Sequence, residues 1–326
     1  MKLVHEIDAV DRLSGRAGLR DRDWRLAAAA LLVAAAYYLG AKIGLALTFS
    51  PYPISVLWPP NAVLLAALLL APVRWWALLL LAAFPAHLIA QLQGGVPTAM
   101  VFCWFLSNVS EALIGAVCVR RFVRGPLALD NVHNLVIFFA SAVLLAPFLS
   151  SFMDAAFVTY IGWGEVGYWQ LWKTRFVSNV LATLTFVPVI VTWAMLDVPW
   201  MRSVKLARSV EGAVLSCGLL AAGIVVFNWQ TAASGLPNTL IYLPLPFLLW
   251  TALRFGVYGT SAAFMAIALL AIWGAGHGRG PFSGTSPAET ALSVQLFLIS
   301  VAIPMLFLAA VMEERRNTSM NSELCA

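Results

Sequence analysis

The chain has 326 residues, 61% of them hydrophobic and only 11% charged, with a mean hydropathy of +0.86. A soluble domain of this length would carry about 25% charged residues, so the composition excludes one and leaves a polytopic membrane protein. The net charge of +5 is usual for such proteins, which keep basic residues on the cytoplasmic side. It gives no reason to expect a nucleic-acid partner.

The fold class expected is all-α, a transmembrane helix bundle. Residues 1–25 are polar and of mixed charge. They do not read as a signal peptide: the polar part is long, the apolar run after it is too long, and no small-residue cleavage site ends it. A cytoplasmic tail is expected there, then a membrane-embedded unit over 26–312 and a second cytoplasmic tail over 313–326. Ten apolar segments follow one another, at 26–48, 54–71, 75–93, 97–119, 133–160, 172–196, 210–228, 239–254, 256–275 and 289–312. Short connections make neighbours antiparallel. The eighth and ninth are separated only by Arg254-Phe255-Gly256, and eight spans remain if two short segments are re-entrant.

Charge orients this array. With the N-terminus inside, most of the 20 Lys and Arg fall on the cytoplasmic side. They lie in the N-tail, at Arg74, in the trios Arg120/Arg121/Arg124 and Arg202/Lys205/Arg208, at Arg254 and at Arg315/Arg316. Lys173, Arg175 and Arg279 fall outside. Both termini are therefore expected in the cytoplasm.

The second segment stands apart. It follows Ser50-Pro51-Tyr52-Pro53, passes through Trp58-Pro59-Pro60-Asn61 and ends as nearly pure Leu and Ala. The prolines remove backbone donors and disfavour a regular helix at Trp58. In lipid the freed groups need partners inside protein or at a wet cavity. This span is expected to be broken near one membrane face and buried among the others. Trp58 then reads either as a pocket wall or as a member of the interfacial aromatic belt.

The intramembrane polar residues each have two readings. Glu111, with Asn108 one turn before it, sits in the fourth segment, and Asp154, after Ser150 and Ser151, in the fifth. A mid-helix carboxylate costs about 2.5–3.5 kcal/mol on insertion scales. It marks either a ligand or proton site or a buried clasp between helices. Lys173 and Arg175 open the sixth segment against the charge bias. They either pair with Glu165, Asp154 or Glu111, or reach the interface along their own stems. The expectation is that Glu111 and one of Lys173 or Arg175 share a polar pocket with Trp58. Lys42 lies in Gly40-Ala-Lys-Ile-Gly44, a GxxxG pattern that permits close helix contact.

Other motifs carry less. Gly162-Trp-Gly164-Glu-Val-Gly167 matches GxGxxG, but it lies in a loop between spans without the strand and helix of a dinucleotide site. Gly278-Arg279-Gly280-Pro281-Phe282 reads as a tight turn. Cys103, Cys118, Cys217 and Cys325 form no CxxC pair, and His5, His87, His133 and His277 are scattered. No metal, cofactor or catalytic set is expected; His87 reads as a satisfied core residue.

Five stretches in order resemble one family. They are Ile54-Ser-Val-Leu-Trp58-Pro59-Pro60 with its Leu/Ala run, Asn108-x-x-Glu111-Ala-Leu-Ile-Gly115 running into Arg120-Arg121-Phe122, and Asp130. Next come Leu243-Pro-Leu-Pro246-Phe-Leu-Leu-Trp250-Thr-Ala-Leu-Arg254-Phe255-Gly256 and Gly278-x-Gly280-Pro281-Phe282. Together, over about residues 26–316, the chain resembles the membrane-associated sensor domain family, type 1, the multi-span input module of bacterial signalling proteins. One corner departs from that pattern: Trp172-Lys173-Thr174-Arg175 and Ser178-Asn179 stand where a Gly-Asp-type pair is expected. Members usually continue into an output domain such as a histidine kinase or a diguanylate cyclase, whereas this chain runs only ten residues past Arg316.

The resemblance implies an input module in the bacterial inner membrane, not an enzyme. For such a module the candidate ligand-binding residues, read from the intramembrane polar groups and the broken span, are Trp58, Asn108, Glu111, Asp154, Lys173 and Arg175, and the candidate relay residues are Arg254, Glu313 and Arg316. The partners implied are the lipid bilayer, a separate cytoplasmic signalling protein and a second copy of the chain. Intramembrane charges beside a broken span suit a small-molecule transporter or channel as well, so that alternative stays open.

Overall fold

The computed structural model describes residues 2–49, 55–123, 127–163, 166–195, 206–229, 238–282 and 286–325. Residues 50–54, Arg124, Gly164, Glu165, Arg202 and Lys205 lie outside this set. The described chain is helical, with one isolated antiparallel bridge between Thr48 and Ser55. In order it forms α1 (Lys2–Ala46), α2 (Pro59–Leu70), α3 (Trp76–Gln93), α4 (Thr98–Phe122), α5 (Val132–Phe138) and α6 (Ala146–Ile161). Then come α7 (Tyr168–Ala194), α8 (Leu206–Ile224), α9 (Leu245–Gly276) and α10 (Pro287–Cys325). Helices α5 and α6 are one rod interrupted by a π-helical stretch, Phe139–Leu145. It sits just before Pro147, which cannot donate to a carbonyl one turn back.

Eight helices among the described residues are long and apolar enough to cross a membrane: Trp24–Ala46, Val73–Gln93, Thr98–Phe122, Val132–Ile161, Tyr168–Ala194, Leu206–Trp229, Thr239–Gly276 and Pro287–Ser319. Ten segments were expected, and the difference lies at two places. The 54–71 segment is helical only over Pro59–Leu70. The 239–254 and 256–275 segments run together.

The second segment enters the bundle unwound. Val56, Leu57, Trp58, Pro59 and Pro60 are all buried, so their backbone groups need partners within the protein. The Val56 N–H donates to Leu47 O at 3.3 Å. Ser55 O accepts from Ser178 Oγ of α7 at 2.8 Å, and Val56 O accepts from Gln295 Nε2 of α10 at 2.7 Å. Ser55 Oγ donates to Gly44 O at 2.7 Å. The break that Pro59 and Pro60 impose is thus clamped by α1, α7 and α10 together. Gly40 and Gly44 allow α1 to come this close. A Cβ on Gly44 would stand 2.6 Å from the Trp58 ring, and one on Gly40 would stand 3.3 Å from Pro59.

The last carbonyls of α2 have no partners within their own helix. Arg120 Nη2 donates to Leu68 O and Leu69 O, both at 3.0 Å, and the Trp76 indole donates to Leu68 O at 2.9 Å. A cation at a helix C-terminus is also favoured by the macrodipole. The guanidinium lies over the Trp76 ring, 5.2 Å from its centroid.

In α9 the helix breaks at Gly256, where φ is 63° and ψ −159°. A straight Thr239–Gly276 helix would be about 57 Å long, nearly twice the hydrocarbon core of a bilayer. The contacts show two arms instead. Phe255 packs on Gly212 and Phe247 on Gly218, while Ile267 packs on Gly223 and Phe227 O on Gly274. Going up α8, neighbours run back from 255 to 247 on one arm and forward to 274 on the other. Gly256 is the corner from which both arms rise.

Helix α7 is the hub, the most deeply buried of the eight spans. It packs against α2, α6, α9 and α10.

Candidate functional site

A polar cluster runs through the middle of this apolar bundle. Glu111 of α4, Ser150 and Asp154 of α6, and Arg175 and Asn179 of α7 are all buried. Hydrocarbon offers such groups no partners, so they need one another or a wet cavity. Glu111 Oε2 accepts from Ser150 Oγ at 2.5 Å and from Asn179 Nδ2 at 2.7 Å, and Asn61 of α2 adds a third polar neighbour. The carboxylate therefore ties α2, α4, α6 and α7 together.

A hydrogen-bonded chain stands beside it. Asn108 Nδ2 donates to the Tyr37 hydroxyl at 2.9 Å. The Tyr37 hydroxyl lies 2.8 Å from His87 Nδ1, and His87 Nε2 lies 2.9 Å from Val101 O. A carbonyl only accepts, so Nε2 carries the hydrogen. In the neutral ring Nδ1 is then the acceptor, and Tyr37 donates to it. His87 is a satisfied core residue. Tyr37→Phe leaves both the Asn108 amide and His87 Nδ1 unpartnered, at about 1–3 kcal/mol for each buried group. A clear drop in the temperature at which the detergent-solubilised protein loses monodispersity is the expected result.

Between this chain and one end of the bundle lies a cavity of about 380 Å³. Trp58, Gln91, Trp104, Asn108, Trp163 and Arg175 are among the residues that line it. The Arg175 guanidinium lies over the Trp104 ring, 4.4 Å from its centroid. Asp154 and Glu111 are within Coulombic range of Arg175, but among the described residues neither forms an ion pair with it. Arg175 Nε and Nη2, Trp104 Nε1 and Gln91 Oε1 are buried without a hydrogen-bond partner among the described residues.

The structure thus brings Trp58, Asn108 and Arg175 to one cavity, with Glu111 and Asp154 in the polar cluster behind it. Lys173 goes elsewhere. It is exposed and lines a separate cavity with Trp169, Gln170 and Glu289. Lys42 points away as well, its ammonium 3.3 Å from Gln93 Oε1. Residue-by-residue reading missed Gln91, Trp104, Trp163 and Gln295. Gln91 and Gln295 carried a signal, an uncharged polar group inside an apolar helix. The two tryptophans did not, because residue type alone does not separate a pocket wall from a belt.

The expected relay residues meet at the opposite end. Arg254 is bidentate on Glu211, with both N···O distances 2.8 Å, and the Trp250 indole donates to the same carboxylate at 3.1 Å. Arg254 O ends the first arm of α9 and accepts from Arg208 at 3.0 Å and from Arg316 at 3.1 Å. Arg316 also donates to Leu253 O. Glu313 packs directly against Gly256. The corner of α9 is thus capped by the last helix. Gly278 and Gly280, both at positive φ, form the turn expected before α10.

These features define a multi-pass integral membrane protein with a buried polar cavity at one end and an arginine-capped helix corner at the other. Against known families, the chain matches the MASE1 family model over residues 29–316. It belongs to that family and is an integral membrane signal-input module. The comparison found no similar curated protein and no similar solved structure.

Proposed function

We propose that this module sits in the bacterial cytoplasmic membrane, takes a small-molecule signal in the cavity lined by Trp58, Asn108 and Arg175, and passes the change along α10 to a cytoplasmic partner. The unwound segment 55–58 supports this reading. Trp58 and Ser55 line the cavity, and the adjoining Val56 O is bonded to Gln295 of the last helix. Any ligand that moves this segment pulls on α10 near the cavity. Arg316, on the same helix, holds the α9 corner at the far end. A ligand biases that helix only by the difference in its affinity for two arrangements.

The topology that goes with this reading has ten crossings. The unwound 55–58 stretch and α2 together make one, and the two arms of α9 make two. Both termini and the Arg120, Arg254 and Arg316 end then lie in the cytoplasm, in accord with the positive-inside bias. A homodimer fits a module that drives paired output domains.

The test is a fusion of residues 1–325 to a diguanylate cyclase, screened against small metabolites. A signal-dependent change in cyclase output is expected, lost in Gln295→Leu and in Arg316→Leu while the protein still reaches the membrane. Saturable, gradient-driven solute uptake into reconstituted vesicles, with no ligand-dependent output, would instead make the protein a transporter.

A further inference from the structure

We infer that the cavity takes a small carboxylate bearing one further hydrogen-bond donor and an apolar flank; this rests on the cavity being the signal site. The groups left without partners define what the ligand must carry. Arg175 is buried, 7% exposed, and its Nε and Nη2 have no partner among the described residues. Those two nitrogens form one edge of the guanidinium fork, the edge whose spacing matches the two oxygens of a carboxylate. Asp154 and Glu111 lend Arg175 charge at a distance but do not occupy that edge.

The rest of the lining sorts the ligand further. Trp104 Nε1 is a second unpartnered donor and is donor only, so it too asks for an acceptor. Gln91 Oε1 is an unpartnered acceptor, buried to 1% exposure, and asks for one hydroxyl or amine on the ligand. Trp58 and Trp163 supply apolar wall. The Trp104 face that a ligand cation would use is already covered by Arg175. Unpartnered donors thus outnumber unpartnered acceptors, and the one fixed charge at the wall is positive.

The full chain in lipid nanodiscs, titrated calorimetrically, tests this. The probes are lactate, benzoate, 4-hydroxybenzoate and phenyllactate, each against its neutral amide, with tyramine as the cation. Saturable binding of at least one hydroxy-carboxylate is expected, at least tenfold tighter than its amide and absent for tyramine. The wild-type comparison needs no variant. Arg175→Lys, which keeps charge but not the fork, should weaken the carboxylate tenfold or more and narrow its margin over the amide. An amide or tyramine that binds as tightly as its carboxylate, and is lost in Trp58→Ala, overturns the carboxylate and leaves the cavity as the ligand site. Carboxylate binding unchanged in both Arg175→Lys and Trp58→Ala places the ligand elsewhere and overturns the site as well.

Discussion

Replacing Glu111 by alanine is expected to remove most of the folded protein from detergent extracts. The side chain is 3% exposed and is the acceptor for groups on α6 and α7. Losing it strands the Asn179 amide in an apolar interior, at about 1–3 kcal/mol, and leaves a void whose lining loses its contacts. Ser150 suffers less, because its hydroxyl already has Pro147 O at 3.3 Å as an alternative acceptor. Glu111→Gln keeps a carbonyl acceptor at the same place and should fall between wild type and alanine. Thermal denaturation followed by size exclusion gives the order. If alanine and glutamine are equally harmless, the cluster does not hold the bundle together.

The second large effect is expected at Gly256. Its φ of 63° with ψ of −159° is a backbone state that essentially only glycine adopts. A non-glycine residue there costs about 1–3 kcal/mol in strain. It also meets Glu313, whose carboxylate occupies the space where a Cβ would go. Gly256→Ala should therefore displace α10 from the corner and uncouple the cyclase fusion from its signal, while surface expression falls less. Adding Glu313→Ala removes the steric part and leaves the backbone part. The double variant should recover some signal response, and this non-additivity is the mark of direct contact. Strict additivity would place the damage in the backbone alone and separate Glu313 from the corner.

The sequence made the membrane bundle legible because lipid imposes long apolar runs and punishes charge, and both leave marks that need no tertiary information. The broken second span was legible for the same kind of reason. Pro59 and Pro60 act on the backbone locally, wherever the segment packs. The pairing of polar groups was only half legible. Lys173 and Arg175 are two residues apart, so on a helix they point to nearly opposite faces, and only one can face the bundle. Which one does so depends on the rotation of α7 against α2 and α6, which the local pattern does not carry. Gln295 illustrates the remainder. Its partner, Val56 O, is 239 residues away in sequence and belongs to a backbone whose need arose from the prolines. The break predicted that some partner exists without naming it.

Arg120 and Arg316 show a related limit. Both look like members of cytoplasmic basic clusters, the role that the charge bias assigns them. In the structure both cap the exposed carbonyls of another helix, α2 in one case and the first arm of α9 in the other. A charge count gives the side of the membrane; the identity of the capped helix comes from the fold.

The central claim is that occupation of the Trp58/Arg175 cavity moves the far end of α10 against the α9 corner. It is tested most directly by a pulsed electron-spin distance measurement in nanodiscs, between labels at positions 121 and 317 of a cysteine-free background. The ligand is the compound selected with the cyclase fusion. The account predicts a ligand-dependent shift of the distance distribution that disappears in Gln295→Leu. A distribution that stays fixed while calorimetry shows the cavity filled would contradict it.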